Sequence, residues 1–242
     1  MTRTTLSILR KGKTAAAAAL LASTAVGCAS TKPAIATPSA GPSAADVAAT
    51  MTIEEARTVV TAVEANWPLR DDHPLKQPKS YEDAEKILKL DQVRLFPAGI
   101  AYLEDLRGVE ALALHGQIEL AWGEAYIILV EVMGNLDRHY ASTADALQEK
   151  SATQKFSDEE EARIQELRSA SVTLRRTGAA FTALIVEHLT AGSEKAEEAI
   201  SKFPDSYLGY RVAADYHRLM EDWPAFDEMI QKVTERNPDS NG

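Results

Sequence analysis

The chain has 242 residues, with 26 Lys plus Arg set against 36 Asp plus Glu for a net charge of −10. A balance this acidic suits neither nucleic acid nor anionic lipid surfaces, both of which recruit clustered cations. The one cysteine excludes an internal disulfide, so any fold must be held by its core.

Arg3, Arg10, Lys11 and Lys13 open the chain without an acid among them, followed by the apolar stretch Ala15 to Leu21 and small residues up to Gly27. That order of charge, apolar run and small residues is the layout of a secretory signal. The run is shorter than the about 20 residues of a permanent span, so it reads as removable. Ala25-Val26-Gly27-Cys28 resembles the bacterial lipobox, with Ala25 where leucine is commonest. The resemblance implies a lipoprotein signal peptide over 1–27, removed on export, and diacylglycerol on Cys28 as the new N-terminus. The competing reading is an ordinary secreted leader cut near Ala25 or Gly27, with Cys28 incidental. Ala29 and Ser30 are neutral and, by analogy with known lipoproteins, point to an outer-membrane location facing the periplasm. Without the leader, 22 Lys plus Arg face 36 Asp plus Glu, a net charge near −14. Residues 28–51 form the next unit, rich in Ala, Ser, Thr and Pro. Such a composition cannot bury enough apolar surface to offset its ordering entropy, so the segment is expected to act as a tether.

Residues 52–242 are expected to form one all-α domain. Thr52 with Glu55 is a capping box, and Ile53, Ala56, Val59, Val60 and Val63 repeat at helical spacing until Pro68. Ser80 opens a second expected helix through Tyr81, Ala84, Ile87, Leu88 and Val93, ending before Pro97, with a short helix from Ala98 to Leu106. Val109 to Met133 is the longest apolar stretch, but Glu110, Glu119, Glu124 and Glu131 exclude a lipid-facing span. It reads as a central helix in which Gly116 and Gly123, seven apart, let a neighbour approach closely. A separate helix is expected from Leu136 to Lys150. Ser157 with Glu160 is a second capping box, opening a helix through Ile164, Leu167, Val172, Leu174, Phe181, Leu184 and Ile185 that Gly192 is expected to end.

In the last third, Phe203-Pro204-Asp205-Ser206 recurs as Asn237-Pro238-Asp239-Ser240, an interval of 34 residues from Pro204 to Pro238. Between them lie two helical patterns, Tyr207 to Met220 and Trp223 to Arg236, joined at Glu221-Asp222, with Pro224 tolerated in a first turn. This unit resembles a tetratricopeptide repeat. Tyr210 stands at its early aromatic position and Ala214 at the small residue where paired helices touch. Trp223, Phe226, Ile230 and Val233 stand at second-helix core positions, although Phe226 replaces the usual alanine. Fainter signals at Ala196 to Pro204 and at Ser80 to Ala84 extend the resemblance, which implies an α-solenoid-like array of antiparallel helix pairs with long central helices.

The sequence offers few convergent groups for catalysis. It has no His-Glu-x-x-His helix, no Gly-x-Ser-x-Gly elbow, no phosphate-binding loop and no dinucleotide fingerprint, so neither enzyme activity nor a cofactor is expected. His115 and Glu119 share a helix face, but two ligands make no metal site and a packed histidine is the expectation. His217 is expected to pack, and Asp137 with His139 to lie in a turn. Asp158 to Glu161 are explained by the helix dipole. Tetratricopeptide arrays bind peptides or proteins in a groove lined by first helices, and the resemblance places Leu208, Arg211, Asp215 and Arg218 there. The expected partners are thus the membrane, through Cys28, and an envelope protein or peptide. Two functional classes follow: a scaffold or assembly factor, or an accessory of a small-molecule uptake system similar to the lipoproteins of TRAP transporters, with Val109 to Met133 lining a cavity.

Overall fold

A computed structural model of the chain describes residues 47–65, 91–151 and 156–237. Among these residues the protein is all helical, with α1 (Ile53–Ala65), α2 (Asp91–Glu104), α3 (Val109–Ser151), α4 (Asp158–Lys202), α5 (Tyr207–Leu219) and α6 (Trp223–Arg236). Cys28, the tether as far as Asp46, the helix expected from Ser80 as far as Leu90, and Pro238 lie outside the described residues, while Met51 at the end of the tether packs against the core of α1, α2 and α3.

Both capping boxes form. The Thr52 N–H donates to Glu55 Oε2 at 2.7 Å and the Glu55 N–H returns to Thr52 Oγ1 at 3.3 Å. Ser157 and Glu160 repeat the exchange at 2.9 and 3.3 Å. Each pair satisfies two helix-end donors that would otherwise lack partners. Ser206 caps α5 by accepting from the Leu208 N–H. At the other end of α5, Glu221 takes a positive φ of 54° while the Asp222 N–H closes on the His217 carbonyl, turning the chain into α6.

The axis of the molecule is the antiparallel pair of α3 and α4, 43 and 45 residues long, each about 65 Å at 1.5 Å per residue. Ile164, Leu167, Ser171, Leu174, Gly178, Phe181, Ile185, His188 and Gly192 alternate spacings of three and four along α4. That is a coiled-coil seam, and it faces α3. The two helices come closest at their glycines. A methyl group on Gly116 would stand 3.2 Å from the Gly192 carbonyl oxygen, and one on Gly123 would meet Leu189 Cδ2 at 3.0 Å. The close approach expected at Gly116 and Gly123 is therefore present, and Gly192 is the matching glycine of the partner helix.

One half of this pair is broadened into a base. Ala56, Val59 and Val60 of α1 and Phe96 and Leu103 of α2 pack on Ala111, Leu114, Ile118 and Ala121 of α3. Val212 and Leu219 of α5 pack on Ala113 and Leu120 of α3 and on Ile185, Leu189 and Ala196 of α4. Each fully buried Val, Leu, Ile or Phe among these stabilises the fold by about 1.5–3 kcal/mol before entropy is charged against it. The other half is an arm whose clusters, among the described residues, draw on α3, α4 and Phe156: Ile128 to Leu136 against Leu174, then Ala144 against Ile164 and Leu167.

Three expected boundaries are corrected. Pro97 lies inside α2, where Phe96 and Ala98 on either side are almost fully buried, and this packing carries the chain through a proline that costs one backbone hydrogen bond. Val109 to Met133 and Leu136 to Lys150 are one helix, because Met133 and Leu136 both pack on α4 across the Gly134-Asn135 pair. Gly192 does not end α4, which continues to Lys202 since Ala196 and Ala199 stay buried beyond it. Asp137 and His139 likewise stand within α3 rather than in a turn.

Candidate functional site

The face expected to line a groove runs along α5. Leu208 is half-buried and packs into the cluster shared by α3, α4 and α5. Arg211 is exposed. Arg218 reaches α3 and forms a fork on Glu124, Nη1 to Oε1 and Nη2 to Oε2 both at 3.2 Å, while its Nε lies 3.8 Å from Asp215 Oδ1. The structure therefore joins Asp215 and Arg218 to Glu124 and leaves Arg211 apart from them. A bidentate guanidinium–carboxylate pair fixes direction as well as distance, so Arg218 orients α5 on α3. α6 is held against α5 through Tyr210, whose ring lies 4.6 Å from the Arg236 guanidinium and 5.8 Å from Lys232 Nζ. Arg236 Nε also donates to the Pro204 carbonyl at 3.0 Å, tying α6 to the turn before α5. Trp223 and Ile230, placed by the repeat resemblance at core positions, are exposed, because among the described elements α5 alone flanks that helix closely.

The second concentration of polar groups is buried between α3 and α4. His188 Nδ1 lies 2.7 Å from Glu119 Oε2, and His115 Nε2 lies 3.6 Å from Glu119 Oε1. All three residues are buried. Trp122 stacks on the His188 ring at 4.1 Å, and Tyr126 stacks between His188 and Phe181. Burial pushes the Glu119 carboxyl upward, but the His115 and His188 imidazoles beside it outweigh that and hold the carboxyl below its ordinary value. The Tyr126 phenol is pushed up by burial, with the Glu187 charge acting in the same direction and the Trp122 indole opposing. The Trp122 indole N–H is buried with no acceptor at hydrogen-bonding geometry among the described residues.

Chemically, this cluster is a register lock. A buried carboxylate bonded to an imidazole of the neighbouring helix is costly to break, and a one-residue slip of α4 on α3 would separate His188 from Glu119. A second lock lies further out on the arm, where Asp137 accepts from the Ser171 hydroxyl and sits 3.4 Å from Arg175 Nε. Among the described residues, no group of three or more His, Cys, Asp or Glu side chains is arranged to hold a metal ion. No helix among them is long and apolar enough to cross a membrane. His188 and Glu124 are the two participants that sequence reasoning missed, 69 residues from Glu119 and 94 from Arg218. The available signal for His188 was its place in the three-and-four spacing of the α4 seam, between Ile185 and Gly192. Comparison with known proteins found no family model that matches the chain, and no curated protein or solved structure that matches it significantly.

Proposed function

We propose that this protein is a lipid-anchored scaffold of the bacterial cell envelope, tethered through Cys28 and holding other proteins along its helical body. The observation that carries the reading is the α3–α4 pair, whose arm extends beyond the base formed with α1, α2 and α5 and offers a long exposed helical surface. The basic and apolar leader, the lipobox-like Ala25 to Cys28 and the Pro-rich segment behind it support the anchor. The 34-residue recurrence and the close pairing of α5 and α6, with Ala214 of α5 buried, support a tetratricopeptide-like end unit. Apolar positions from Val109 to Met133 are spent on contacts with α1, α2, α4 and α5, which favours the scaffold over a cavity-lining role in solute uptake.

Two measurements test this reading. Fractionation of Cys28→Ser cells is expected to move the protein from the membrane to the soluble envelope fraction with its fold intact. A variant that still sediments with membranes and resists carbonate washing contradicts the anchor. Affinity purification from solubilised envelopes is expected to recover a stoichiometric protein partner. Recovery of a solute-binding protein instead transfers the reading to uptake.

A further inference from the structure

α4 carries a second stripe with the same alternating spacing as its core seam, on the opposite face. Val172, Arg176, Ala179, Ala183, Val186 and Thr190 follow at intervals of four, three, four, three and four, and every one is exposed. Val172 and Val186, two heptads apart, each leave 43% of their surface open and are among the most exposed large apolar side chains described. A helix needs one such stripe to pack on α3. A second stripe, with small residues at its centre and valines on both sides, is the surface of a helix that receives another helix.

The charges beside the stripe specify which helix it is. Between Glu166 and Glu187 the α4 sequence holds Arg168, Arg175 and Arg176 and no acid. Arg168 faces Asp145 and Arg175 faces Asp137 of α3. Arg176 and Glu187 are exposed, and neither has an ion pair among the described residues. If two copies of α4 lie antiparallel about a two-fold axis level with Phe181, Ala179 of one copy meets Ala183 of the other and Val172 meets Thr190. Arg176 then lies over the opposing Val186 with its guanidinium beside Glu187. Symmetry makes each contact twice, so both exposed charges are neutralised in one register while the arginine stem covers the valine. A parallel pairing in register would instead set Arg176 against Arg176 and Glu187 against Glu187, which like-charge repulsion disfavours.

The geometry points to this face of α4 as a homodimer interface, its occupant the antiparallel α4 of a second copy of this chain. The inference goes beyond the scaffold reading and does not depend on it. It also places two arms side by side and pointing in opposite directions.

The test is sedimentation equilibrium of the full chain in density-matched detergent, which reads protein mass whether or not a lipid is attached. Wild type is expected to show a concentration-dependent dimer. Arg176→Glu and Glu187→Arg are each expected to weaken it on the order of a hundredfold, tenfold for each of the two symmetry-related pairs. The double exchange Arg176→Glu, Glu187→Arg is expected to restore it. All three variants change exposed side chains, so their circular dichroism, and their Tm at concentrations where every form is monomeric, should match wild type and separate loss of association from loss of fold. A monomeric wild type, a dimer unmoved by either single reversal, or an exchange that fails to restore association overturns the proposal. So does a different protein that co-purifies stoichiometrically and is released by Arg176→Glu, since it would assign the face to a foreign helix.

Discussion

Two glycines of one helix should respond to the same substitution with opposite signs. Replacing a helical glycine by alanine recovers about 1 kcal/mol of backbone entropy and propensity when the new methyl finds open space. Gly178 meets that condition: apart from its chain neighbours and its own helix backbone, no atom among the described residues lies within 4 Å of the methyl position. At Gly192 the methyl would stand 2.6 Å from Leu120 Cδ2, 2.7 Å from Leu120 Cγ and 3.1 Å from the Gly116 carbonyl oxygen. A terminal methyl group can rotate away, but Cγ and a backbone carbonyl cannot, so α3 and α4 must part where they are closest. Overpacking of this kind costs about 1–3 kcal/mol. Gly192→Ala should therefore lose about 1 kcal/mol net where Gly178→Ala gains about 1 kcal/mol. For a chain of this size that gap of about 2 kcal/mol separates the two melting temperatures by about 4–8 °C. Urea titration with the m-value held in view gives an independent measure. Equal stabilisation of the two variants would refute the close crossing, and with it the placing of α5 over Gly116.

Further substitutions check other parts of the structure. Arg218→Glu sets a carboxylate against Glu124 and should lower stability by about 1 kcal/mol, a modest figure because the pair is partly exposed, whereas Arg211→Glu should stay within about 0.5 kcal/mol of wild type in thermal melts. Glu119 is held below its ordinary value of 4.5, so the stability it contributes is complete above that pH and drains as pH falls through the lowered value. Glu119→Gln should accordingly cost about 1–3 kcal/mol at neutral pH and flatten the acid limb of stability against pH, as followed by circular dichroism. Ala214→Trp should overpack the contact between α5 and α6 by about 1–3 kcal/mol, while tryptophan at exposed Gln231 should leave Tm unchanged.

The features legible in the sequence were local. Capping boxes at Thr52 and Ser157 act over three residues, and the Glu221-Asp222 turn is bounded by two clear amphipathic patterns, so these ends fell where expected. Gly116 and Gly123 were legible because their spacing of seven repeats one helix face. Stop signals failed where tertiary packing outvoted them. Pro97, Gly134 and Gly192 each weaken a helix locally, but Phe96, Met133 and Ala196 beside them are buried in clusters whose contribution exceeds that loss. Partners were not legible at all: nothing near His115 and Glu119 announces His188, and nothing near Arg218 announces Glu124. Long-range pairing depends on how α3 and α4 align, which only the assembled seam determines.

The uneven width of the molecule divides its resistance to opening. Around Gly116 the long pair is braced on two sides, by α1 and α2 and by α5, so exposing a backbone amide there means dismantling several helices together. Towards the tip the buried apolar side chains among the described residues are Ala144, Ile164 and Leu167. Separating the two strands of the arm there forfeits just those contacts, and the breach stops at the next polar fastening, Asp137 with Ser171 and Arg175. Hydrogen exchange should thus be fast beyond Ala144, slower between the two fastenings and slowest near Glu119. A protein arranged in this way can unzip and reclose its far end repeatedly while its root stays folded.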